Sequence, residues 1–256
     1  MRFGILGPLE LSEAGRTVNV AGVKQRALLV MLLLNANRVV SSGDLIDAVW
    51  EEAPPDSATK ALQVHVSQLR KLLGKHHVET RAPGYLLRVE QDALDLDQFT
   101  RLYEEGRLDE SLSLWRGSPL AEFAYHRFAQ AEIGRLQELH LRCLEDRIER
   151  DLAAGRHDEL VGELEGLVSE HPLREQLRCQ SMLALYRAGR QAEALSSYQR
   201  GRTALVDELG IEPSRALREL EKAILEAVEV ELLEASDLGL SEPVVGELGK
   251  RRSAPE

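Results

Sequence analysis

The fold is decided by the stretch TKALQVHVSQLRKLL, which runs from Thr59 to Leu73. Its apolar residues follow a 4-3-4 spacing that places them in one stripe along a helix. They are Leu62, Val66, Leu69 and Leu73. The opposite side carries two lysines and a serine, but it also carries Val64, a β-branched apolar residue among polar ones. The spacing therefore predicts a helix with one buried stripe and an exposed face of unusual composition.

The segments around this helix follow the order of a winged helix-turn-helix. Short β-like pieces separated by turn residues in residues 1–20 predict a small antiparallel sheet. Helical spacing predicts two further helices, within residues 24–36 and 41–50. After the third helix, residues 78–89 predict a hairpin that turns at an Ala-Pro-Gly sequence. We therefore predict an α+β winged helix-turn-helix domain over residues 1–93.

The remainder of the chain changes to long, acidic, amphipathic helices with an internal repeat. Gly155 and Gly189 lie 34 residues apart within similar segments, and this is the period of tetratricopeptide helix pairs. We expect each glycine at the tight crossing of its helix pair, although chance similarity within an ordinary helical bundle gives the same pattern. The predicted fold is mainly α, with an all-α tetratricopeptide-like repeat domain over residues 94–230 after the winged helix. A disordered tail is predicted over residues 231–256.

Composition excludes several classes of protein. The chain has 256 residues, of which 43% are hydrophobic and 29% charged, and its longest apolar run has eight residues. A membrane-spanning helix needs about 20 apolar residues, and the N-terminus lacks the apolar segment of a secretory signal. The two cysteines fit a reducing compartment. We therefore expect a cytoplasmic, nucleoid-associated protein.

The net charge of −11 is distributed unevenly along the chain. Residues 1–93 contain eleven Lys and Arg residues against ten Asp and Glu residues, whereas residues 94–256 contain 21 against 33. The acidity therefore belongs to the second half. A local basic patch that binds nucleic acid remains compatible with the first half.

The exposed face of the predicted helix suits the major groove of DNA. It holds three cations, two amides, one hydroxyl, one valine and no carboxylate. Arginine pairs with guanine, glutamine with adenine, and an apolar group with the thymine methyl, which indicates base contacts by Arg70, Gln68 and Val64. Lys60 and Lys71 are placed to hold phosphates. Taken alone, the same residues fit an ordinary solvated helix face equally well.

The hairpin and one histidine extend this candidate surface. In a winged helix the hairpin lies beside the duplex, so we expect Arg81 to enter the minor groove and Arg88 to contact the DNA backbone. Arg81 also fits an ordinary surface position. His65 lies about 60° from the buried stripe, and we expect packing or a phosphate contact there rather than base reading.

These residues resemble a known family. The segments LQVHVSQLRKLLG and TRAPGYLL resemble the recognition helix and wing of OmpR/PhoB-type DNA-binding domains. Downstream, LDLDQFTRL, LSLWRGSPLAEF and LALYRAGRQAEALSSYQRGRTALVDELGIEPS resemble the bacterial transcriptional activation domain, which is built of tetratricopeptide-like helix pairs. The combination, over about residues 1–230, is similar to the SARP family, the Streptomyces antibiotic regulatory proteins. The chain resembles a short-form member, because no nucleotide-binding ATPase module follows.

The resemblance implies a sequence-specific transcriptional activator of a secondary-metabolite gene cluster. It implies binding to tandem direct repeats, as a dimer on DNA, beside RNA polymerase holoenzyme contacted through its sigma factor and alpha subunit. The implied base contacts are Val64, Gln68 and Arg70, and the implied backbone contacts are Lys60, His65, Ser67, Lys71 and Arg88. Arg81 is implied in the minor groove beside the wing.

The alternatives are an enzyme, an interaction scaffold and an effector-gated regulator. The sequence contains no G-x-x-x-x-G-K-[ST] loop, no H-E-x-x-H pair and no G-x-S-x-G elbow. His140 and Cys143 share a helix face, but two ligands do not make a metal site, and Cys143 is expected in the helix core. We therefore predict no catalytic residue, no metal and no cofactor. A tetratricopeptide-type scaffold, or an effector-gated regulator with a weak DNA-binding domain, remains as the alternative.

Overall fold

The computed structural model describes residues 1–51 and 53–237, with side chains described up to residue 227. The chain forms two compact units, of which the first is Met1–Leu144 and the second begins at Glu145. The first unit contains two small sheets together with helices, and the described part of the second is helical. The predicted fold class, a winged helix-turn-helix followed by an all-helical region, is confirmed.

The first sheet lies at the N-terminus, as predicted. Its strands are β1 (Arg2–Gly4), β2 (Glu10–Glu13) and β3 (Arg16–Thr17), which pair antiparallel in chain order. The turn between β2 and β3 places Ala14 and Gly15 at φ values of 50° and 79°. Positive φ has no steric penalty for glycine, so this short turn suits the sequence.

The second sheet and three helices complete the winged helix. In chain order the elements are α1 (Val23–Leu34), β4 (Val39–Ser41), α2 (Ser42–Trp50), α3 (Ala58–Leu73), β5 (Val78–Arg81) and β6 (Gly84–Leu87). The strand order is β4-β6-β5, with both pairs antiparallel. A Cβ at position 84 would overlap the carbonyl oxygen of Val40 on β4. Glycine at position 84 therefore allows the close approach of β6 to β4.

The apolar stripe of α3 is buried, as its spacing predicted. Leu69 is fully buried and the other three members of the stripe are at most 3% exposed. They belong to one core with residues of α1, α2 and the hairpin. Burying a leucine or valine side chain contributes about 1.5–3 kcal/mol. This packing fixes the rotation of α3, and hence which residues face outward.

The first unit continues beyond the winged helix. It includes α4 (Asp95–Glu104), α5 (Leu108–Leu112) and the first part of α6 (Arg127–Ala153). The N-terminal sheet is extended at this junction, because the Phe3 amide donates to the Ala93 carbonyl at 2.8 Å.

The Asp95 carboxylate joins α4 to the N-terminal segment. It accepts hydrogen bonds from the backbone amides of Ile5 at 2.9 Å and Leu6 at 3.0 Å, two fully buried residues. Arg116 donates to the same carboxylate at 3.1 Å. Buried amides require such partners, so residues on both sides of position 93 belong to one packed unit. The predicted domain boundary at that position stays a prediction.

The second unit continues with α7 (His157–Glu170), α8 (Glu175–Arg187), α9 (Gln191–Leu209) and α10 (Arg215–Asp237). Gly155 and Gly189 adopt φ values of 79° and 74° in the turns before α7 and α9. The expectation that they lie at helix crossings is therefore wrong. The reason is conformational, because these short turns use the left-handed region that glycine tolerates.

The predicted tail, residues 231–256, falls largely outside the described residues. Helix α10 continues to Asp237, and residues 238–256 lie beyond the part that the structure describes. Among the described helices, none is long and apolar enough to cross a membrane.

Candidate nucleic-acid interface

The outward face of α3 is polar, basic and open to solvent. Its exposed side chains are Thr59, Lys60, Gln63, Val64, Ser67, Gln68 and Lys71. Val64 is 55% exposed, so it does not belong to the buried stripe. A helix with such a face fits the major groove, which is about 12 Å wide.

The lysines of this surface are electrostatically available. Among the residues whose side chains are described, 1–51 and 53–227, no carboxylate forms an ion pair with Lys60, Lys71 or Lys75. All three are exposed. Unpaired cations on one surface attract phosphate groups and steer their approach.

A cleft lies between α3 and the hairpin formed by β5 and β6. Its volume is 610 Å³. Its lining residues are Ser67, Arg70, Lys71, Lys75, Val78, Glu79 and Thr80. The structure therefore brings the predicted recognition helix and the predicted wing to two sides of one cleft.

Arg70 connects the two sides of this cleft. Its Nε donates to the Val78 carbonyl at 2.8 Å, and its Nη2 donates to the Thr80 hydroxyl at 2.8 Å. The guanidinium also lies 6.0 Å from the ring centroid of Tyr85. Two of its nitrogen atoms are thus engaged within the protein, and Arg70 holds β5 against α3. The base contact predicted for Arg70 stays a prediction.

The two predicted hairpin contacts share one carboxylate. Arg81 donates through Nε to Glu79 at 2.9 Å, and Arg88 donates through Nε to the other oxygen of Glu79 at 2.8 Å. Hydrogen bonds from Arg88, and next from Arg81, hold the pKa of Glu79 below its ordinary value. Both arginines remain about half exposed, at 57% and 51% of their side chains.

Glu79 is a residue that the sequence interpretation missed. Glu79 and Arg81 stand two residues apart on β5, so they share one face of the strand. That spacing was a usable signal for their pairing. The ion pair between Glu79 and Arg88 was not visible in the local spacing, because it depends on the hairpin register. That register pairs Glu79 with Leu86, two residues before Arg88.

His65 is half buried, and its ring centroid lies 5.8 Å from that of Trp50. Its Nδ1 is buried and has no hydrogen-bond partner among the residues described. This geometry supports the packing role considered for His65. The phosphate contact stays a prediction.

Of the two possible metal ligands on α6, Cys143 lies in the protein interior and His140 is half-buried. Cys143 is fully buried, with its Sγ 3.2 Å from the hydroxyl of Ser111. The ring of His140 stacks on Trp115 at 4.2 Å. The expectation that Cys143 packs in the core is confirmed. In the described part of the chain, no group of three or more His, Cys, Asp and Glu residues is arranged to hold a metal ion.

Two protein families match the chain. The family described as "Transcriptional regulatory protein, C terminal" matches residues 17–87. The family described as "Bacterial transcriptional activator domain" matches residues 91–225, which is more than half of the chain. The first match runs from the end of the N-terminal sheet to β6, and the second covers α4 to α9 and the start of α10.

Characterised regulators are similar over most of this chain. Regulatory protein AfsR of Streptomyces coelicolor is 42% identical over 242 residues, covering 89% of this chain and 24% of AfsR. Regulatory protein DnrI of Streptomyces peucetius is 37% identical over 252 residues, covering 89% of this chain and 93% of DnrI. The chain thus spans about a quarter of AfsR and most of DnrI.

A solved structure supports the same relationship. Mycobacterium tuberculosis EmbR, in complex with a low-affinity phosphopeptide, matches with a TM-score of 0.82 and 33% identity. The match covers 98% of this chain and 68% of the EmbR chain. AfsR and DnrI are named regulatory proteins, and EmbR is named a transcriptional regulatory protein. With its winged helix joined to a bacterial transcriptional activator domain, the chain belongs to the SARP family of DNA-binding transcriptional regulators.

Proposed function

We propose that this protein is a sequence-specific activator of a secondary-metabolite gene cluster. The observation that carries the DNA-binding proposal is the outward face of α3, which is basic, carboxylate-free and exposed beside the hairpin. In the proposed complex α3 enters the major groove and the hairpin lies over the adjacent minor groove. Membership of the SARP family and similarity to AfsR and DnrI support the metabolic role.

Each residue of the surface has a proposed role. Bases are contacted by Val64, Gln68 and Arg70. Phosphates are contacted by Lys60, His65, Ser67, Lys71 and Arg88, and the minor groove by Arg81. Phosphate contacts give affinity without sequence choice, whereas contacts to base edges give the choice.

The proposed binding unit is a pair of protomers on tandem direct repeats, with RNA polymerase holoenzyme beside them. Footprinting on the promoters nearest the gene tests this arrangement, because the repeat spacing reports how the protomers sit on DNA. We expect protection of two repeats in the same orientation, and more transcript in vitro when protein is added. Protection of a single site, or unchanged transcription, would argue against the proposal.

The role of Val64 is tested by removing one methyl group from the DNA. Thymine differs from uracil only by its C5 methyl, which lies in the major groove. We expect replacement of the contacted thymidine by deoxyuridine to weaken wild-type binding by roughly threefold to tenfold. Val64→Ser should bind both duplexes equally, as measured by fluorescence anisotropy.

Val23→Ser is the matched control, because Val23 is also exposed, at 53%, in the same unit. It should keep the wild-type preference for thymine. If Val64→Ser kept that preference too, Val64 would be an ordinary exposed apolar residue.

The carboxylate shared by the hairpin arginines should weaken DNA binding. Glu79→Gln removes a negative charge and releases Arg81 for the minor groove and Arg88 for a phosphate. Because exposed ion pairs are weak, we expect affinity to rise only roughly twofold to tenfold. Glu13→Gln makes the same charge change at an exposed end of β2 and should raise affinity less. Equal effects of the two substitutions in a gel-shift titration would exclude a specific role for Glu79.

A further inference from the structure

The second unit contains a cavity of 440 Å³ between α7, α8 and α9. The serines and arginines that line it are Ser169, Arg178, Ser181, Ser196, Ser197 and Arg200. Cavities that bind small molecules have volumes of about 300–1,000 Å³. The cavity is therefore large enough for a small metabolite.

Arg178 is fixed at the wall of this cavity. The residue is only 4% exposed. Its Nη1 donates to the Ser197 carbonyl and its Nη2 to the Pro172 carbonyl, both at 2.9 Å. A guanidinium has five N–H donors, so these two bonds orient the group and leave three donors. Its side chain also lies against Gly201, where any Cβ would overlap it.

The positive charge of Arg178 is not compensated. Both of its acceptors are neutral carbonyls, and no carboxylate of the described region forms an ion pair with it. In the same unit, by contrast, Arg174 pairs with the buried Glu145 at 2.8 Å. Burial lowers the pKa of Arg178, and the charge of Arg200 lowers it further. A buried charge without a counterion is unfavourable, so an anion in the cavity would be stabilised.

Further donors surround the same space. Arg200 is exposed and donates through Nη1 to the Ser196 hydroxyl at 2.8 Å. Ser181 and Ser197 are 4% and 1% exposed, and neither hydroxyl forms a hydrogen bond with the residues whose side chains are described.

The two carboxylates that line the cavity, Glu165 and Glu193, both pair with Arg190. Arg190 pairs through Nη2 with Glu193 at 2.7 Å and with Glu165 at 3.5 Å. The positive charge of Arg190 therefore reduces the repulsion between these carboxylates and an incoming anion. The remaining charges in the lining, Arg178 and Arg200, are both positive.

We propose that this cavity binds a phosphate group, either as inorganic phosphate or as a small phosphate ester. The buried Arg178 binds the phosphate from inside the cavity, and Arg200 contacts it from the solvent side. The two guanidiniums and the hydroxyls of Ser181 and Ser197 lie on two helices, α8 and α9. A phosphate group has at least three oxygens that accept hydrogen bonds from these donors, whereas a carboxylate has two. The site lies in the second unit, and binding there is independent of the proposed DNA contacts.

Isothermal titration calorimetry on the full 256-residue chain tests the proposal. The titrants are inorganic phosphate, glycerol phosphate and acetate, at one ionic strength maintained with sodium chloride. We expect saturable binding of phosphate or its ester, and weaker binding of acetate. Arg200→Gln should raise Kd on the order of ten- to a hundredfold, because a charge-assisted hydrogen bond is lost. Tighter binding of glycerol phosphate than of phosphate would identify an ester as the ligand.

Arg215→Gln is the matched control, because Arg215 is exposed on α10 and is not part of the cavity lining. It should bind phosphate as the wild type does. Ser181→Ala tests the buried hydroxyl without removing a charge, and circular dichroism verifies that each variant is folded. Absence of phosphate binding to the wild type would overturn the proposal. It would also be overturned if Arg200→Gln and Ser181→Ala bound with the wild-type Kd, or if acetate bound as tightly as phosphate.

Discussion

Simultaneous substitution of Lys60, Lys71 and Lys75 by alanine is expected to weaken binding to promoter DNA by roughly 10²- to 10³-fold. The three lysines are exposed and unpaired among the described residues. Lys75, which lines the cleft beside Lys71, is proposed here as a further phosphate contact. Each contact to a phosphate contributes about 1–1.5 kcal/mol. Each also accounts for about one unit of the slope of log K against log salt. Fluorescence anisotropy over a salt series should therefore show a slope lowered by about three.

The control variant removes the same number of charges from the second unit. Arg215, Arg218 and Lys222 lie on α10, so their joint replacement by alanine changes net charge equally. We expect this variant to keep almost all of the wild-type affinity. Equal losses in the two triple variants would mean that affinity follows net charge alone, and the proposed surface would be wrong.

Asp95→Ala is expected to lower the free energy of unfolding by about 3–5 kcal/mol. The substitution leaves the buried amides of Ile5 and Leu6 without their acceptor and leaves Arg116 without this carboxylate. A buried donor without a partner costs about 1–3 kcal/mol. Urea unfolding followed by circular dichroism measures the change.

Asp95→Asn should have a smaller effect, because one carboxamide oxygen remains as an acceptor. Asp56→Ala removes an exposed carboxylate from the same unit and should change stability by less than about 0.5 kcal/mol. If Asp95→Ala and Asp56→Ala unfolded at the same urea concentration, the junction around Asp95 would contribute nothing to stability.

Local periodicity explains why much of the winged helix was predictable. The spacing of the four apolar residues between Leu62 and Leu73 follows the helical repeat, and all four are buried. The hairpin was equally visible, because its turn residues separate two short β segments. Strand β4 was not predicted, since three residues are too few to establish an alternating pattern.

Interactions between distant parts of the chain were not predictable. Asp95 bonds to amides 89 and 90 positions earlier, and no local pattern identifies such a partner. Arg70 was interpreted from its position on the helix alone, whereas two of its nitrogens bond to β5. The same limit concealed the uncompensated charge of Arg178, which depends on the packing of α8 against α9. In each case the chemistry arises from tertiary packing rather than from spacing.

The bonds of Arg70 to β5 have a consequence for how DNA is selected. Because α3 and the hairpin are already connected in the free protein, their separation is set before any duplex arrives. Because the distance between α3 and the hairpin is fixed, the two elements fit only duplexes whose major and minor grooves have a matching width and spacing. Groove width varies with sequence even where no base is touched. In the proposed complex, this protein therefore discriminates among promoters partly by the shape of base pairs that lie between its two contact points.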